Sequence, residues 1–210
     1  MPARFDLGSH FAPPSGVLVL WQSLVNGDPD LDSIYRMTYR ETGFDFAASG
    51  SEGNRMACGA AALALPKGTF MPYNAQATIH DYDAFWGLLL PHAIHGRVAD
   101  IWRSYVAQAI LPQVGRSVAF GGPWAVQERN SHDYLADFSA EDQLFKQASE
   151  LVRVLHEWSP QSHSLPGRLE ELHIELYERG FLEEADVFAA QAFLTDLSAL
   201  GYRFPKLTGP

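Results

Sequence analysis

The sequence has little cysteine and no long apolar run, and each scarcity excludes a class of protein. One cysteine among 210 residues rules out an intrachain disulfide and a cysteine-based zinc site. No window approaches the roughly 18 apolar residues that a membrane-spanning helix needs. The first residues also lack the apolar centre of a signal peptide. We therefore expect a soluble chain with no membrane segment, and its localisation stays unknown.

Basic residues are also scarce, since 15 Lys and Arg stand against 25 Asp and Glu and the formal net charge is −10. The imbalance is concentrated in residues 139–200, which hold twelve acidic and four basic side chains. An acidic surface repels the phosphate backbone of nucleic acids. We therefore expect no nucleic-acid partner.

Three common catalytic fingerprints are absent. The chain contains no G-x-S-x-G, no G-x-x-x-x-G-K-[ST] and no G-x-G-x-x-G. Their absence removes the usual serine hydrolases, P-loop nucleotide hydrolases and dinucleotide-binding folds from consideration. The chemistry has to be sought in other polar groups.

What the sequence does contain is ample material for a core, with 47% hydrophobic and 12% aromatic residues. Short apolar runs bounded by glycine and turn residues predict buried strands at 16–24 and 115–122. A further strand, interrupted by Pro72, is predicted over 67–80, and a helix over 97–113. This alternation predicts an α/β layer.

From about residue 139 the pattern is purely helical. Ser139 is predicted to cap the first of these helices, with Asp142 at the third position after it. The later helices are predicted to end at Gly180 and Gly201, the usual C-terminal signature. We divide the chain into an irregular arm (1–15), an α/β domain (16–158) and a C-terminal helical extension (159–210).

Alternate aspartates in NGDPDLD, at positions 28, 30 and 32, could hold a divalent cation through oxygen ligands. An EF-hand loop fails here, because Ser33 and Tyr39 stand where it needs glycine and glutamate. A turn followed by a helix N-terminus explains the acids better, since the helix dipole favours them there. A metal-dependent hydrolase using Asp28 and Asp30 remains an alternative.

Three histidines, at positions 80, 92 and 95, invite a zinc interpretation. His92 and His95 are three residues apart, but no acidic third ligand stands at a known spacing, and HAIHG is not H-E-x-x-H. A helix-end pair near backbone carbonyls is favoured. We therefore assign no zinc site.

Asp100, in RVADIWRSYVAQAI, is the strongest catalytic candidate. As a helix N-cap, its carboxylate would accept from the backbone N–H of Trp102 or Arg103. As a general base, it would take a proton from an acceptor hydroxyl. The roles are compatible, because caps at the carboxyl edge of an α/β sheet face the ligand crevice. Arg97 and Arg103 flank it and could hold a phosphate or keep it ionised. Spacing alone favours the cap.

Five segments in one order carry a resemblance to a known family. They are LWQSLVNGDPDLDSIYRMT, KGTFMPYNAQATIHDYDAFWGLLLP, RVADIWRSYVAQAIL, VQERNSHDYLADF and GFLEEADVFAAQAFLTDLSALGYRFP. Together they resemble the STELLO-type glycosyltransferase family over about residues 16–205. A weaker similarity extends to the reversibly glycosylated polypeptides, the UDP-arabinopyranose mutases.

The resemblance implies an α/β fold that is the acceptor half of a GT-A-like nucleotide-sugar transferase, followed by the helical appendix. It implies transfer of a sugar from a nucleotide-sugar donor to a hydroxyl of a glycan acceptor, with Asp100 as the catalytic base. It implies a divalent cation, Mn²⁺ or Mg²⁺, with His132 as a candidate ligand. The substrate contacts that we predict with it are Asn74, Gln76, Arg97, Trp102, Arg103 and Asn130.

One part of the family pattern is missing. The acidic metal motif and the nucleotide-binding half should precede residue 16, and residues 1–15 contain no acidic pair. We therefore expect an incomplete donor site, and a separate donor-binding half or a homo-oligomer as partner. The alternative is a non-catalytic interaction module derived from a glycosyltransferase, which predicts an uncovered apolar patch and self-association. The resemblance places membrane-anchored relatives in the Golgi.

Overall fold

Two long parallel strands form the centre of the fold in the computed structural model, which describes residues 17–39, 43–46 and 63–208. Strand β1 spans Val17–Gly27. After two short strands, β2 (Leu63–Ala64) and β3 (Thr78–His80), strand β4 spans Arg116–Gln127. β1 and β4 pair in parallel from Val17 opposite Arg116 to Gly27 opposite Gln127. Both were predicted, and both run further than predicted, so their carboxyl ends meet at one edge.

The short strands flank this pair in antiparallel orientation. β2 pairs with β4 and β3 pairs with β1, which gives the order β2-β4-β1-β3 for the described residues. The mixed sheet with its helices confirms the α/β class. The strand predicted over 67–80 is wrong for most of its length, because only Thr78–His80 pairs with a neighbouring strand.

Six α-helices and two 3-10 helices complete the described part of the chain. They are α1 Ser33–Thr38, α2 Gly96–Ile110, α3 Tyr134–Ala140, α4 Asp142–Glu157, α5 Leu165–Glu178 and α6 Glu184–Ala199, with 3-10 helices at Tyr82–Gly87 and Leu111–Val114. Across the described residues, no helix combines the length and apolarity needed to cross a bilayer.

The C-terminal helices match the prediction at one end and depart from it at the other. Gly180 and Gly201 have φ of +76° and +77° after α5 and α6, as helix-ending glycines should. The predicted cap at Ser139 is wrong, because Ser139 lies inside α3 and its hydroxyl donates to the carbonyl of Leu135. Glu141 instead separates α3 from α4, and its side chain is turned into the protein.

A single hydrophobic cluster joins the α/β layer to the C-terminal helices. It includes Val19 and Val118 on the central strands, Trp102 on α2 and Leu172 on α5, all nearly inaccessible to solvent. Each such side chain contributes about 1.5–3 kcal/mol on burial. The proposed boundary at 158/159 falls in the connection between α4 and α5, and the proposed arm 1–15 lies outside the described residues.

Candidate functional site

A cleft of about 540 Å³ opens where β1 ends. Its walls are the residues 22–25 of β1, the loop 29–32, the segment 71–76 and the first turns of α2. This volume is typical of small-molecule sites. Open α/β sheets bind ligands outside the carboxyl ends of their strands. Four predicted site residues line the cleft together: Asn74, Gln76, Arg97 and Asp100.

Asp100 does not cap its helix, so this prediction is wrong. α2 begins at Gly96, and His95 is the N-cap, with Nδ1 accepting from the Arg97 N–H at 3.3 Å. Histidine is not among the usual N-cap residues, so nothing in the local sequence marked position 95 as the cap. Asp100 lies in the second turn. Its Oδ2 accepts from the Ala75 N–H at 2.7 Å, which fixes the carboxylate against the cleft wall.

Asp100 belongs to a ladder of three helix side chains. Asp100, Ser104 and Gln108 accept from the backbone N–H groups at 75, 73 and 71, at 2.7, 3.3 and 2.9 Å. Residues four apart on a helix rise about 6 Å, close to the ~6.6 Å between alternate residues of an extended chain. The ladder therefore takes the place of a neighbouring strand, which explains how alternate N–H groups of 71–75 find acceptors without pairing in the sheet.

The turn after this segment fixes the two amide side chains of the cleft. Asn74 Oδ1 accepts from the Gln76 N–H at 3.1 Å, and Gln76 Oε1 accepts from the Asp30 N–H at 3.0 Å. The Thr78 hydroxyl donates to the Asn74 carbonyl at 2.6 Å. Ala77 has a φ of +49°, a left-handed conformation that residues other than glycine seldom adopt. Both amides are thus held in place from within the protein.

Arg97 is held by two carboxylates. Its Nε and Nη2 lie 2.8 and 2.6 Å from Glu141 Oε1, and its Nη1 lies 3.1 Å from Asp137. Glu141 Oε2 accepts the N–H and the hydroxyl of Ser33 at 2.8 and 2.7 Å. Burial raises the pKa of Glu141, but the hydrogen bonds from Ser33 and Arg97 outweigh it, so the pKa lies below its usual value. The guanidinium is engaged inside the protein.

Glu141 is a cleft residue that the sequence analysis missed. It is one acid among twelve in residues 139–200, and nothing in its local pattern separates it from surface acids. The structure distinguishes it by burial, since 3% of its side chain is exposed. A buried charge needs partners. The partners of Glu141 are Arg97 and Ser33, which lie 44 and 108 positions away along the chain.

Trp102 and Arg103 do not line the cleft. Trp102 is fully buried in the core, where it supports α2. Arg103 is 7% exposed and lies near Tyr73 and His80. Burial lowers the pKa of His80 to about 4, and the charge of Arg103 adds to this. Burial also raises the pKa of the Tyr73 hydroxyl, which Arg103 opposes. Both predicted contacts therefore lie behind the cleft wall.

His132 and Asn130 lie in the loop after β4, outside the cleft lining. His132 Nδ1 is 3.0 Å from Asp137 Oδ2, so it connects to the cleft through Asp137 and Arg97. The described part of the chain contains no group of three or more His, Cys, Asp or Glu side chains arranged to hold a metal ion. These residues alone therefore do not fit a complete divalent-cation site.

The aspartates of NGDPDLD do not share a cavity. Asp28 forms an ion pair with the buried Arg36 and lies outside the cleft lining. Asp30 lines the cleft and is paired with Arg129 at 2.7 Å. A hydrolase using both carboxylates would need them to converge on one ligand, which this arrangement does not provide. Asp32 caps α1 by accepting from the Tyr35 N–H at 2.9 Å.

Known proteins match the chain on both sides of this cleft. Residues 97–210 match the family model of STELLO glycosyltransferases. Two proteins of Arabidopsis thaliana, "Probable glycosyltransferase STELLO1" and "Probable glycosyltransferase STELLO2", are each 31% identical over 192 residues. The match covers 91% of this chain and 24% of each relative. The chain therefore spans about a quarter of the length of these relatives.

Proposed function

Because the chain belongs to the STELLO glycosyltransferase family, we propose that it supplies the acceptor side of a sugar transfer from a nucleotide-sugar donor to an acceptor hydroxyl. The single observation that carries the proposal is the Asp100 carboxylate, anchored at 2.7 Å to the Ala75 N–H on the wall of a cleft at the carboxyl edge of β1. We propose with it that the mixed sheet is the acceptor half of a GT-A-like fold.

In this mechanism Asp100 acts on the acceptor. One carboxylate oxygen takes the proton of the acceptor hydroxyl as its oxygen attacks the anomeric carbon of the donor sugar. The bond from that carbon to the nucleoside diphosphate breaks, and the diphosphate leaves with the bonding electrons. Asn74 and Gln76 orient the acceptor beside Asp100, which shortens the search for a reactive geometry.

We also propose a divalent cation, Mn²⁺ or Mg²⁺, as the cofactor. His132 is the proposed ligand, since its Nδ1 is occupied by Asp137 and leaves Nε2 for a cation. Chelation with EDTA followed by re-addition of Mn²⁺ tests this requirement. We expect His132→Ala to raise the Mn²⁺ concentration needed for half-maximal activity. Equal Mn²⁺ dependence in the variant would reject His132 as a ligand.

Asp100→Asn is the direct test of the base. The amide preserves the oxygen that accepts from Ala75 and removes the proton-accepting charge. We expect kcat to fall by roughly 10²–10⁴-fold with little change in KM. Transfer or donor hydrolysis is measured with a panel of UDP-sugars and Mn²⁺. Asp142→Asn, which removes a surface carboxylate paired with Lys146, is the matched control and should retain full activity. A folded wild-type chain that neither binds nor consumes any donor rejects catalysis by this chain alone.

A specific observation favours a second candidate, a non-catalytic interaction module. Trp124 and Val126 on β4 are 61% and 76% exposed, and Leu135 on α3 is 71% exposed. Trp124 and Val126 lie two residues apart on one strand, which puts them on the same face, and contiguous exposed apolar surface marks protein contacts. This function predicts self-association that Trp124→Ser weakens and Asp100→Asn does not. Light scattering over a concentration series measures it, and a clean monomer at all concentrations counts against it.

A further inference from the structure

We propose that the cleft binds an uncharged carbohydrate through its hydroxyl and ring oxygens and discriminates against acidic sugars. The inference rests on the proposed function, because it names the acceptor class for the same site. It is carried by three observations: the orientation of two amides, the neutralisation of the cleft cation, and the remaining charge of the lining.

The orientation of both amides is fixed by their hydrogen bonds. Each accepts from a backbone N–H, Asn74 from residue 76 and Gln76 from residue 30. Only the amide oxygen can accept from an N–H, so the NH₂ groups must be the free ends. Neither Nδ2 of Asn74 nor Nε2 of Gln76 donates a hydrogen bond to a described residue. Two neutral donors therefore stand unused in the cleft lining.

The cations at the cleft are already neutralised. Of the described lining residues, Arg97 is the cation, and its three nitrogens contact Glu141 and Asp137. Arg129 at the border is 5% exposed and bonds Asp30 and the carbonyl of Pro29. A phosphate or carboxylate ligand would have to break these pairs before it gained a guanidinium, which removes most of the benefit.

The rest of the lining repels anions and accepts hydroxyl protons. Asp30, Asp32, Asp100 and Glu141 line the cleft beside the single cation Arg97, so the described lining keeps an excess of negative charge after its ion pairs form. A sugar hydroxyl donates and accepts, so carboxylate acceptors beside amide donors suit a polyhydroxylated molecule. Met71, Ile101 and Leu144 supply apolar surface for the C–H faces of a sugar ring. A carboxylate on the sugar would meet like charges.

The test uses pairs of glycans that differ only in charge. The probes are oligosaccharides containing uronic acid and their fully methyl-esterified, uncharged counterparts, with neutral hexose and pentose oligosaccharides alongside. Binding to the full chain is followed by ligand-observed NMR and calorimetry. We expect bound glycans to be uncharged, and each esterified glycan to bind at least tenfold more tightly than its acid.

Asn74→Asp and Gln76→Glu locate the site. Each substitution keeps the oxygen that accepts the internal N–H and replaces the free NH₂ by a charged oxygen. The ring and glycosidic oxygens of a glycan can only accept hydrogen bonds, so each substitution takes away one of their donors. We therefore expect the affinity for the glycan to fall roughly threefold to tenfold per substitution. The control, Gln143→Glu on α4, changes an amide to an acid outside the cleft lining and should bind as the wild type does.

Three results would overturn the inference: acidic glycans bound as well as their esters, unchanged binding in both cleft variants, or no glycan of the panel bound. The experiments distinguish a failure of this inference from a failure of the proposed function. If an acidic glycan is the acceptor and Asp100→Asn abolishes transfer, the charge inference fails and the function stands. If neutral glycans bind through Gln76 but Asp100→Asn leaves transfer intact, the inference stands and the function fails.

Discussion

Asp100 and Glu141 are both carboxylates of the cleft lining, and their partners give them different roles. Asp100 is bound by backbone N–H groups and remains accessible to a ligand. Glu141 is buried and spends its oxygens on Arg97 and Ser33. A buried carboxylate whose oxygens bind a cation and hydrogen-bond donors fixes the positions of the elements that carry them. At the residue scale, therefore, Asp100 is the candidate base and Glu141 is the group that positions α1 against α2.

Removing the charge of Glu141 should destabilise the fold. Glu141→Gln leaves Arg97 without its closest counter-charge and disturbs the bonds to Ser33. We expect the free energy of unfolding to fall by about 2–4 kcal/mol, measured by urea denaturation. Glu150→Gln on the exposed face of α4, where Arg153 is the partner, is the control and should leave it nearly unchanged, because solvent screens exposed ion pairs. Equal effects would show that Glu141 behaves as a surface acid.

His80 should make stability depend on pH. Burial and Arg103 lower its folded pKa to about 4, whereas the unfolded chain takes up the proton near pH 6.5. The unfolded state then binds more protons between these values, so stability falls as pH drops from about 6.5 to 4. We expect His80→Gln to flatten part of this slope in thermal unfolding from pH 7 to 4. The buried His173, whose pKa burial also lowers, adds to this slope, and Glu141, whose pKa lies below its usual value, adds to it near pH 4. His163→Gln, at an exposed position, should leave the slope unchanged.

At the scale of elements, the ladder on α2 decides the shape of the cleft wall. The segment 71–75 is held by side chains of a helix, so its position follows α2 rather than the sheet. Asp100 is both the candidate base and one rung of this ladder. Its geometry is therefore coupled to Ser104 and Gln108, both buried below it.

Gln108→Leu should loosen this wall. The substitution leaves the Met71 N–H without its acceptor and removes the bond from Nε2 to the Ser104 carbonyl. Each of these two hydrogen bonds is worth about 0.5–1.5 kcal/mol, and urea denaturation measures the loss. Hydrogen exchange of the amides at 71 and 73 should accelerate more than that of β1. Gln191→Leu on α6, which breaks a bond to Glu170 on α5, is the control and should leave these amides protected.

At the scale of the whole molecule, Asp186 attaches the C-terminal helices to the α/β layer. This carboxylate at the start of α6 is 1% exposed and accepts from the N–H groups of His92, Ala93 and Glu183. Burial raises its pKa, but the hydrogen bonds from Glu183, Ala93 and His92 outweigh this and lower it. The segment 92–93 leads into α2, so α6 is tied to the helix that carries Asp100.

Asp186→Ala tests whether this attachment is integral to the fold. We expect a loss of about 2–4 kcal/mol in unfolding free energy, because the substitution removes the hydrogen bonds from three backbone N–H groups to a buried carboxylate. Unfolding should remain one cooperative transition for circular dichroism and tryptophan fluorescence alike. Two separated transitions would show that the extension folds on its own. Asp196→Ala, on the exposed side of α6, should be near neutral.

The accuracy of the sequence predictions followed the range of the interactions. β1, β4, α2 and the ends of α5 and α6 were predicted, since apolar runs and terminal glycines are local signals. The segment 67–80 was not, because its N–H groups bond to a helix about 30 residues away. The buried face of α1 was also missed: it presents Ser33 and Arg36 inward, while the apolar Ile34 is 40% exposed.

The sequence by itself determined the α/β class, the positions of β1, β4 and α2 along the chain, the resemblance that the family comparisons confirmed, and Asp100 as a candidate. These follow from local periodicity and from motifs in register. Only the tertiary structure decided which polar groups meet. It brought Asn74, Gln76, Arg97 and Asp100 to one cleft and placed Trp102 in the core. It also paired Arg97 with Glu141, which offsets the positive charge of the guanidinium. The pairing of buried charges depends on distances between elements, and no local pattern in the chain encodes them.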